Sequence, residues 1–355
     1  MRSHIAVIFV LLAGGSLLAA TGQGAAATAE DTANSISAAA MGPRLGTVTF
    51  PGGGQGIGFD DLGFAPTLRK VIVPRGSTGK LGLIDPDSQN IEIIGGFSER
   101  TGHSGGHGEG ITSSDAGHGL LYVTDRSSRL VDIVNPSTEK IIASTRLASG
   151  PDYVRFVSET NEAWVTEPGA QRIEIFSLAD NGTTATHSGF ILVPGGPESL
   201  VIGRGQAFTH LWRGTTLAVD LKTRTTVSRW PNGCKGSRGI GLDDKRGFLF
   251  AGCDEGKVSV LDVKTGKILG HASAGAGVDI IAYNQKLAHV YMPGADSGTI
   301  AIIGISASGA AKVLKTAATM DGAHCVTADD REQVYVCDPM HGQILVFKDT
   351  LPISE

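Results

Sequence analysis

The chain has 355 residues and a formal net charge of −5, with 50 glycines and 6% aromatic residues. A weakly acidic chain without a polybasic run lacks the electrostatic basis for non-specific binding to nucleic acid, which argues against such a partner. The abundance of glycine agrees with an all-β domain rich in tight turns.

The N-terminus has the form of a secretory signal peptide. A basic start precedes an apolar stretch at residues 5–20 and a small-residue cleavage site at 27–29. We therefore expect residues 1–29 to be removed, 30–43 to be a flexible leader, and 44–355 to fold as one domain. No later segment reaches the roughly 20 apolar residues of a membrane helix. The sequence thus predicts an exported monomer without a membrane span, in the periplasm or secreted.

A pattern of four short strands is repeated, with seven copies after the leader. In its clearest copy an apolar run at Ile111 is followed by further runs at 121–125, 130–134 and 140–144, with polar turns between them. The copies begin near Ile57, Ile111, Val154, Leu200, Ile240, Ile281 and Val326. Their spacing of about 40 to 54 residues is typical of propeller blades. The pattern predicts an all-β protein, a seven-bladed β-propeller of four-stranded antiparallel blades.

The last copy lacks a convincing fourth strand. Residues 351–355 are too few and contain a proline. Residues 44–50, just before the first copy, form a strand-like run in the place that a fourth strand occupies elsewhere. We predict that this N-terminal strand completes the last blade, so that the ring has no open edge.

The second strands carry a recurring four-residue motif. It reads Tyr-Val-Thr-Asp at residues 122–125, with looser copies at 164–167 and 335–338, and Gly-Pro pairs stand at 150–151 and 196–197. In these motifs the chain resembles the YVTN family of β-propeller repeat proteins and is similar to its periplasmic YncE group. The resemblance implies the propeller fold. It does not imply one activity, because such propellers serve as binding proteins, lactonase-like enzymes and electron-transfer partners.

Aligning the copies on their first strands gives one column that is polar throughout. Two residues before the first aligned apolar residue of each copy stand Gln55, Glu109, Asp152, Glu198, Arg238, Asp279 and His324. Because the first strand of each blade lines the central channel, the column should form a ring at one mouth of it. The ring is either merely solvated or a binding site. Its mixed charges suit a zwitterionic or hydroxylated small molecule, or the polar surface of a periplasmic protein.

The connection between the first and second copies is rich in histidine and glycine. It contains His103, His107 and Glu109, and His324 is expected across the same mouth. Imidazole and carboxylate ligands suit zinc, copper or iron, so these four residues are candidate ligands of a divalent metal ion. The alternative is a mobile surface loop with no metal.

Four cysteines in an exported chain favour disulfides. The antiparallel register predicts pairing of Cys234 with Cys253 and of Cys325 with Cys337, each within one blade. The alternatives are free buried thiols, or a copper site in which a thiolate joins His324 or Met340.

Three common catalytic motifs are absent from the sequence. It contains no Gly-x-Ser-x-Gly elbow, no phosphate-binding Gly-x-x-x-x-Gly-Lys-Ser/Thr loop and no His-Glu-x-x-His motif. We therefore expect a propeller that binds a small ligand, metal ion or partner protein at its channel mouth, and we assign no catalytic residue. A metal-dependent hydrolase, lyase or oxidase with its site at the same mouth is one alternative. A structural or accessory platform for a periplasmic redox system is another.

Overall fold

The computed structural model describes residues 44–100 and 107–354. Over these residues the chain forms 28 strands in seven four-stranded antiparallel sheets, joined by turns and three short 3-10 segments. Each sheet is one blade of a seven-bladed β-propeller, as predicted. Within the same two ranges, no helix has the length and apolar character needed to cross a membrane.

The first four blades follow one another along the chain. Blade 1 contains β2 (Gly63–Ala65), β3 (Lys70–Pro74), β4 (Thr78–Ile84) and β5 (Ile91–Glu99). Blade 2 contains β6 (Ile111–Gly117), β7 (Leu120–Asp125), β8 (Leu130–Asn135) and β9 (Lys140–Arg146). Blade 3 contains β10 (Val154–Val157), β11 (Glu162–Glu167), β12 (Arg172–Ala179) and β13 (Thr184–Leu192). Blade 4 contains β14 (Val201–Gly203), β15 (Gln206–Leu211), β16 (Thr215–Asp220) and β17 (Thr225–Pro231).

The last three blades bring the two ends of the domain together. Blade 5 contains β18 (Ser237–Asp243), β19 (Phe248–Cys253), β20 (Lys257–Asp262) and β21 (Ile268–Ser273). Blade 6 contains β22 (Ala282–Asn284), β23 (His289–Gly294), β24 (Thr299–Ile305) and β25 (Ala311–Ala318). Blade 7 contains β26 (Val326–Ala328), β27 (Gln333–Asp338), β28 (Gln343–Lys348) and the N-terminal β1 (Arg44–Thr49).

The N-terminal strand closes the ring, as the sequence predicted. β1 pairs with β28 in antiparallel register, with Val48 opposite Ile344. Val48 and the following Phe50 are buried in the core between blades 7 and 1. The closure therefore supplies apolar packing as well as hydrogen bonds, and it covers the edge that β28 would otherwise expose.

Burial follows the position of each strand in its blade. Every residue of β7 and of β19 is buried, whereas β9, an outer strand, alternates exposed and half-buried residues. Inner strands pack against neighbouring blades on both faces, which is why their sequences are almost continuously apolar. Phe250 and Val260 of blade 5, for example, share one cluster with Val290 and Ile303 of blade 6.

Both predicted disulfides are present. Cys234 is bonded to Cys253 with their Cα atoms 5.1 Å apart, and Cys325 to Cys337 with a Cα separation of 5.5 Å. Each bond links the approach to a first strand with the second strand of the same blade. All four cysteines of the chain are thus paired, so the oxidised protein offers no thiolate for a copper site.

Candidate functional site

The strand register defines one equivalent position in all seven blades. In blade 3, Trp164 of β11 pairs with Arg155 of β10, and Asp152 lies three residues before Arg155. Each of the other blades has a second-strand residue equivalent to Trp164, and that residue pairs with one on the first strand. The residue three positions before this first-strand partner is the equivalent of Asp152. These seven residues, called here the mouth ring, are Asp60, Thr112, Asp152, Glu198, Arg238, Asp279 and His324. The mouth ring shares five positions with the column predicted from the sequence.

In blade 1 the ring residue is Asp60 and not the predicted Gln55. The first strand of this blade begins at Gly63, later than the predicted start near Ile57. Ile57 and the residues after it form a buried segment without regular secondary structure that leads into the strand, while Gln55 is exposed in a 3-10 turn. Alignment on the first apolar residue of each copy therefore predicted a ring residue that lies too early in the chain in blade 1.

In blade 2 the ring residue is Thr112 and not the predicted Glu109. A bulge in β6 lies between Ile111 and Ser113. The strand therefore contains one extra residue, which shifts the alignment of the residues before it. Glu109 forms an ion pair with Arg100 and lines a separate cavity. Thr112 is buried, and its hydroxyl donates a hydrogen bond of 2.8 Å to the carbonyl oxygen of Asp152.

The other six members of the mouth ring line a cavity of about 720 Å³. Turns that follow second strands complete its wall, contributing Arg126, Trp212 and Met340 among others. Tyr153 lines both this cavity and a smaller one of about 160 Å³ deeper in the channel. The cavity is therefore the mouth of the channel, and Tyr153 lies between the mouth and the interior.

One side of the cavity is built around Arg126, which follows β7. Its guanidinium forms an ion pair with Asp152, lies 4.0 Å from Asp60 Oδ2, and donates to the carbonyl oxygen of Pro151 at 2.9 Å. Burial and the neighbouring Asp60 carboxylate nevertheless raise the pKa of Asp152 to about 7. The single positive charge of Arg126 does not offset the negative charges of Asp60 and Asp152 on this side.

The opposite side is built around Arg238. Its Nη1 lies 3.4 Å from Glu198 Oε1, and its guanidinium carbon lies 5.0 Å from the centre of the Trp212 ring. Trp212 is 51% exposed, which is unusual for so large an apolar side chain. Burial and the charge of Asp152 raise the pKa of Glu198 to about 9, despite the opposing effect of Arg238.

Two imidazoles meet beside Asp279. The rings of His107 and His324 stack with their centroids 4.7 Å apart. His107 Nδ1 lies 3.2 Å from Asp60 Oδ2, and its Nε2 lies 3.7 Å from Asp279 Oδ2. The hydrogen bond to Asp60 and its negative charge raise the pKa of His107 to about 9, and burial raises the pKa of Asp279.

The structure brings together only some of the residues predicted to bind a metal. His107 and His324 come together, but Glu109 is paired elsewhere, and the carboxylate that accompanies the imidazoles is Asp279. His103 lies outside the described residues. Asp60, Arg126 and Trp212 were missed by the sequence analysis. No repeated pattern marks these residues, because β3 has no aromatic residue on which Asp60 could be aligned, and the other two lie in turns.

The lining of the cavity is acidic overall. Among the described residues that form it are seven carboxylates, two guanidiniums and two imidazoles. The carboxylates are Asp60, Asp152, Glu198, Asp254, Asp279, Asp296 and Asp321. None of the described lining residues is a serine, threonine or cysteine, and the one hydroxyl among them is the phenol of Tyr153. The chemistry of the wall suits attraction of positive charge.

Comparisons with known proteins show the fold alone. No protein-family model matches the chain, and no curated protein matches it either. A chain in the crystal structure of the mitotic checkpoint complex is similar, with a TM-score of 0.72 and 11% identity over 96% of this chain and 98% of that chain. A chain of hydrazine synthase from Kuenenia stuttgartiensis has a TM-score of 0.67 and 12% identity over 87% of this chain and 99% of that chain. At these identities, a shared architecture says nothing about activity.

Proposed function

We propose that the chain is an exported propeller of the YVTN type that binds a small, positively charged ligand at its channel mouth. The observation that carries the proposal is the mouth ring, in which one position of each blade supplies a polar residue and six of the seven line one cavity. Convergent polar groups in a concavity are the usual form of a small-molecule site.

The balance of charge supports a cationic ligand. The pKa of Asp152 is raised to about 7 and that of Glu198 to about 9, in both cases by burial and by neighbouring carboxylates. A bound cation would offset this repulsion and favour the ionised carboxylates. The rim adds apolar contact, because Trp212 and Met340 are 51% and 63% exposed. An aromatic face at an acidic site is a common means of holding an organic cation.

The proposal includes export. We assign residues 1–29 to a signal peptide, 30–43 to a leader and 44–355 to the propeller, on the basis of the sequence. Two disulfides are consistent with an oxidising compartment. N-terminal sequencing of the protein from a periplasmic extract should find a start near Glu30, and a start at Met1 would contradict export.

A thermal-shift panel tests the mouth. Choline, spermidine, lysine and divalent cations would be compared with glucose and citrate on the wild type and on the double variant Asp152→Asn, Glu198→Gln. A ligand at about 100 times its Kd stabilises the folded state by about 2.7 kcal/mol, which raises the melting temperature by several degrees. We expect at least one cation to stabilise the wild type and to lose most of that effect in the variant.

A matched control removes the same charges from the opposite end of the blades. Glu159 and Asp244 are exposed in turns between first and second strands, whereas the mouth ring precedes the first strands. The variant Glu159→Gln, Asp244→Asn should therefore respond like the wild type. The proposal is wrong if no cation stabilises the protein, or if the mouth and control variants respond alike.

A further inference from the structure

We propose that His107, Asp279 and His324 form a binding site for a divalent transition-metal ion within the mouth. The inference rests on the proposed function, because it names the cation that the same cavity would hold. The three side chains come from separate parts of the chain, since His107 lies between blades 1 and 2, and the other two are the ring residues of blades 6 and 7. One potential ligand atom from each lies within 4.8 Å of the others.

The distance between two of the donors is close to that of a metal site. His107 Nε2 and Asp279 Oδ2 are 3.7 Å apart. Metal–ligand bonds of about 2.0 to 2.2 Å place two donors of one ion roughly 3 to 3.5 Å apart, so a metal between these atoms would draw them slightly together.

Asp60 orients the first imidazole. Its Oδ2 lies 3.2 Å from His107 Nδ1, and its side chain is only 7% exposed. A carboxylate on one ring nitrogen fixes the other nitrogen towards the metal and makes it a better ligand, an arrangement that recurs at histidine-ligated metal sites. With Nδ1 engaged by Asp60, the Nε2 of His107 is the nitrogen that faces Asp279. Asp60 therefore acts as a positioning residue.

The second imidazole, that of His324, has one ring nitrogen available as a metal ligand. His324 Nε2 lies 2.9 Å from the carbonyl oxygen of Phe59, and its Nδ1 lies 2.7 Å from the carbonyl oxygen of Gly322. A neutral imidazole carries a single N–H and donates to only one of these oxygens, so its other nitrogen faces an oxygen with which it forms no bond. That nitrogen is the one that a metal ion would take as a ligand, in exchange for its contact with the oxygen.

The donor set selects the class of ion. Two imidazole nitrogens and a carboxylate oxygen suit zinc, copper or iron, whereas calcium and magnesium prefer oxygen ligands alone. A second cluster, His324 with Cys325 and Cys337, has suitable spacing, but its sulfurs are joined in a disulfide. Three protein ligands leave coordination positions open to the cavity, as in sites where a metal binds a further molecule.

Zinc titration of the full chain tests the site. The untagged protein from a periplasmic extract would be stripped with a chelator and titrated with zinc alone in a calorimeter. We expect one zinc ion per chain, with affinity at least about tenfold weaker in His107→Ala, Asp279→Asn and His324→Ala. The matched control is His271→Ala, which removes an exposed imidazole from β21 and should bind zinc like the wild type.

Copper spectroscopy of the wild type counts the imidazole ligands even if a variant fails to fold. The electron paramagnetic resonance spectrum of the wild type with one equivalent of copper(II) should show hyperfine coupling to two imidazole nitrogens, and that of His324→Ala coupling to one. The site is refuted by the lack of one-to-one zinc binding, by equal affinities in the ligand variants and the control, or by a wild-type spectrum without two nitrogens. Stabilisation of the wild type by choline or spermidine alone would refute the metal site and leave the proposed function standing.

Discussion

Glu198 and Arg238 occupy the same position in neighbouring blades, and their side chains meet at the channel mouth with Nη1 and Oε1 3.4 Å apart. Two residues that are remote in the chain become neighbours because the ring repeats one strand position. Their ion pair does not offset the cost of holding Glu198 among buried carboxylates, since its pKa is raised to about 9. The buried carboxylates at the mouth therefore lower the stability of the fold, as is common at binding sites.

The variant Glu198→Gln should show this cost as a dependence on pH. A carboxyl group whose pKa is raised from 4.5 to about 9 on folding contributes stability below pH 4.5, and that contribution is lost as the pH rises towards 9. Glutamine resembles the protonated acid at every pH. We expect nearly equal free energies of unfolding below pH 4.5, and a more stable variant at pH 8.5, by at least about 1.4 kcal/mol, the equivalent of a pKa shift of one unit.

Urea unfolding of both proteins across this range provides the measurement. Glu159→Gln removes an exposed carboxylate from a turn at the other end of blade 3, so it should follow the wild type at every pH. A Glu198→Gln variant that is less stable than the wild type at pH 8.5 would mean that the ion pair with Arg238 outweighs the cost of burial.

Ring closure can be tested by truncation. Removal of residues 1–43 should leave the melting temperature nearly unchanged, whereas removal of residues 1–50 should cause aggregation or loss of cooperative unfolding. The second deletion exposes the edge of β28 and removes Val48 and Phe50 from the core. Calorimetry with size-exclusion chromatography would compare the two proteins. Identical melting curves would be incompatible with a closing role for β1.

The disulfides should stabilise their blades. Their partners are separated by 19 residues in blade 5 and by 12 in blade 7, and the chain-entropy model gives about 3 kcal/mol for loops of this size. Replacing either cysteine pair by serine should lower the free energy of unfolding by roughly 2 to 4 kcal/mol. Peptide mapping without reduction should recover Cys234 joined to Cys253 and Cys325 joined to Cys337. Any other pairing, or four thiols open to alkylation, would contradict the structure.

Shortening a side chain that is packed between blades should destabilise the protein more than shortening one on an outer strand. Val260 is fully buried between blades 5 and 6, so Val260→Ala leaves a cavity and should cost about 2 kcal/mol. Val227 on β17 is 49% exposed, and Val227→Ala should change the free energy of unfolding by under about 0.5 kcal/mol. Urea denaturation of the two variants gives the comparison. Similar losses in both would show that burial between blades is not the main source of stability.

The sequence by itself determined the architecture. Each blade is a local unit of consecutive strands, so hydrophobic alternation and turn residues predicted the repeat, the seven blades and the pairing of β1 with β28. The disulfides were predictable for the same reason, because each links two segments of one hairpin with a register that follows from local pairing. Five members of the mouth ring also followed, since the repeat fixes their position relative to the strand.

The remaining features depended on tertiary structure. The bulge in β6 and the irregular buried segment before β2 shift the register without changing the apolar pattern, and so Thr112 and Asp60 replace the predicted Glu109 and Gln55. The contact between His107 and Asp279 joins a connection after blade 1 to blade 6, and no local signal encodes it. Raised carboxylate pKa values arise from burial and from charges that other blades supply. Local interactions set each blade, and only closure of the ring determines which side chains meet at its axis.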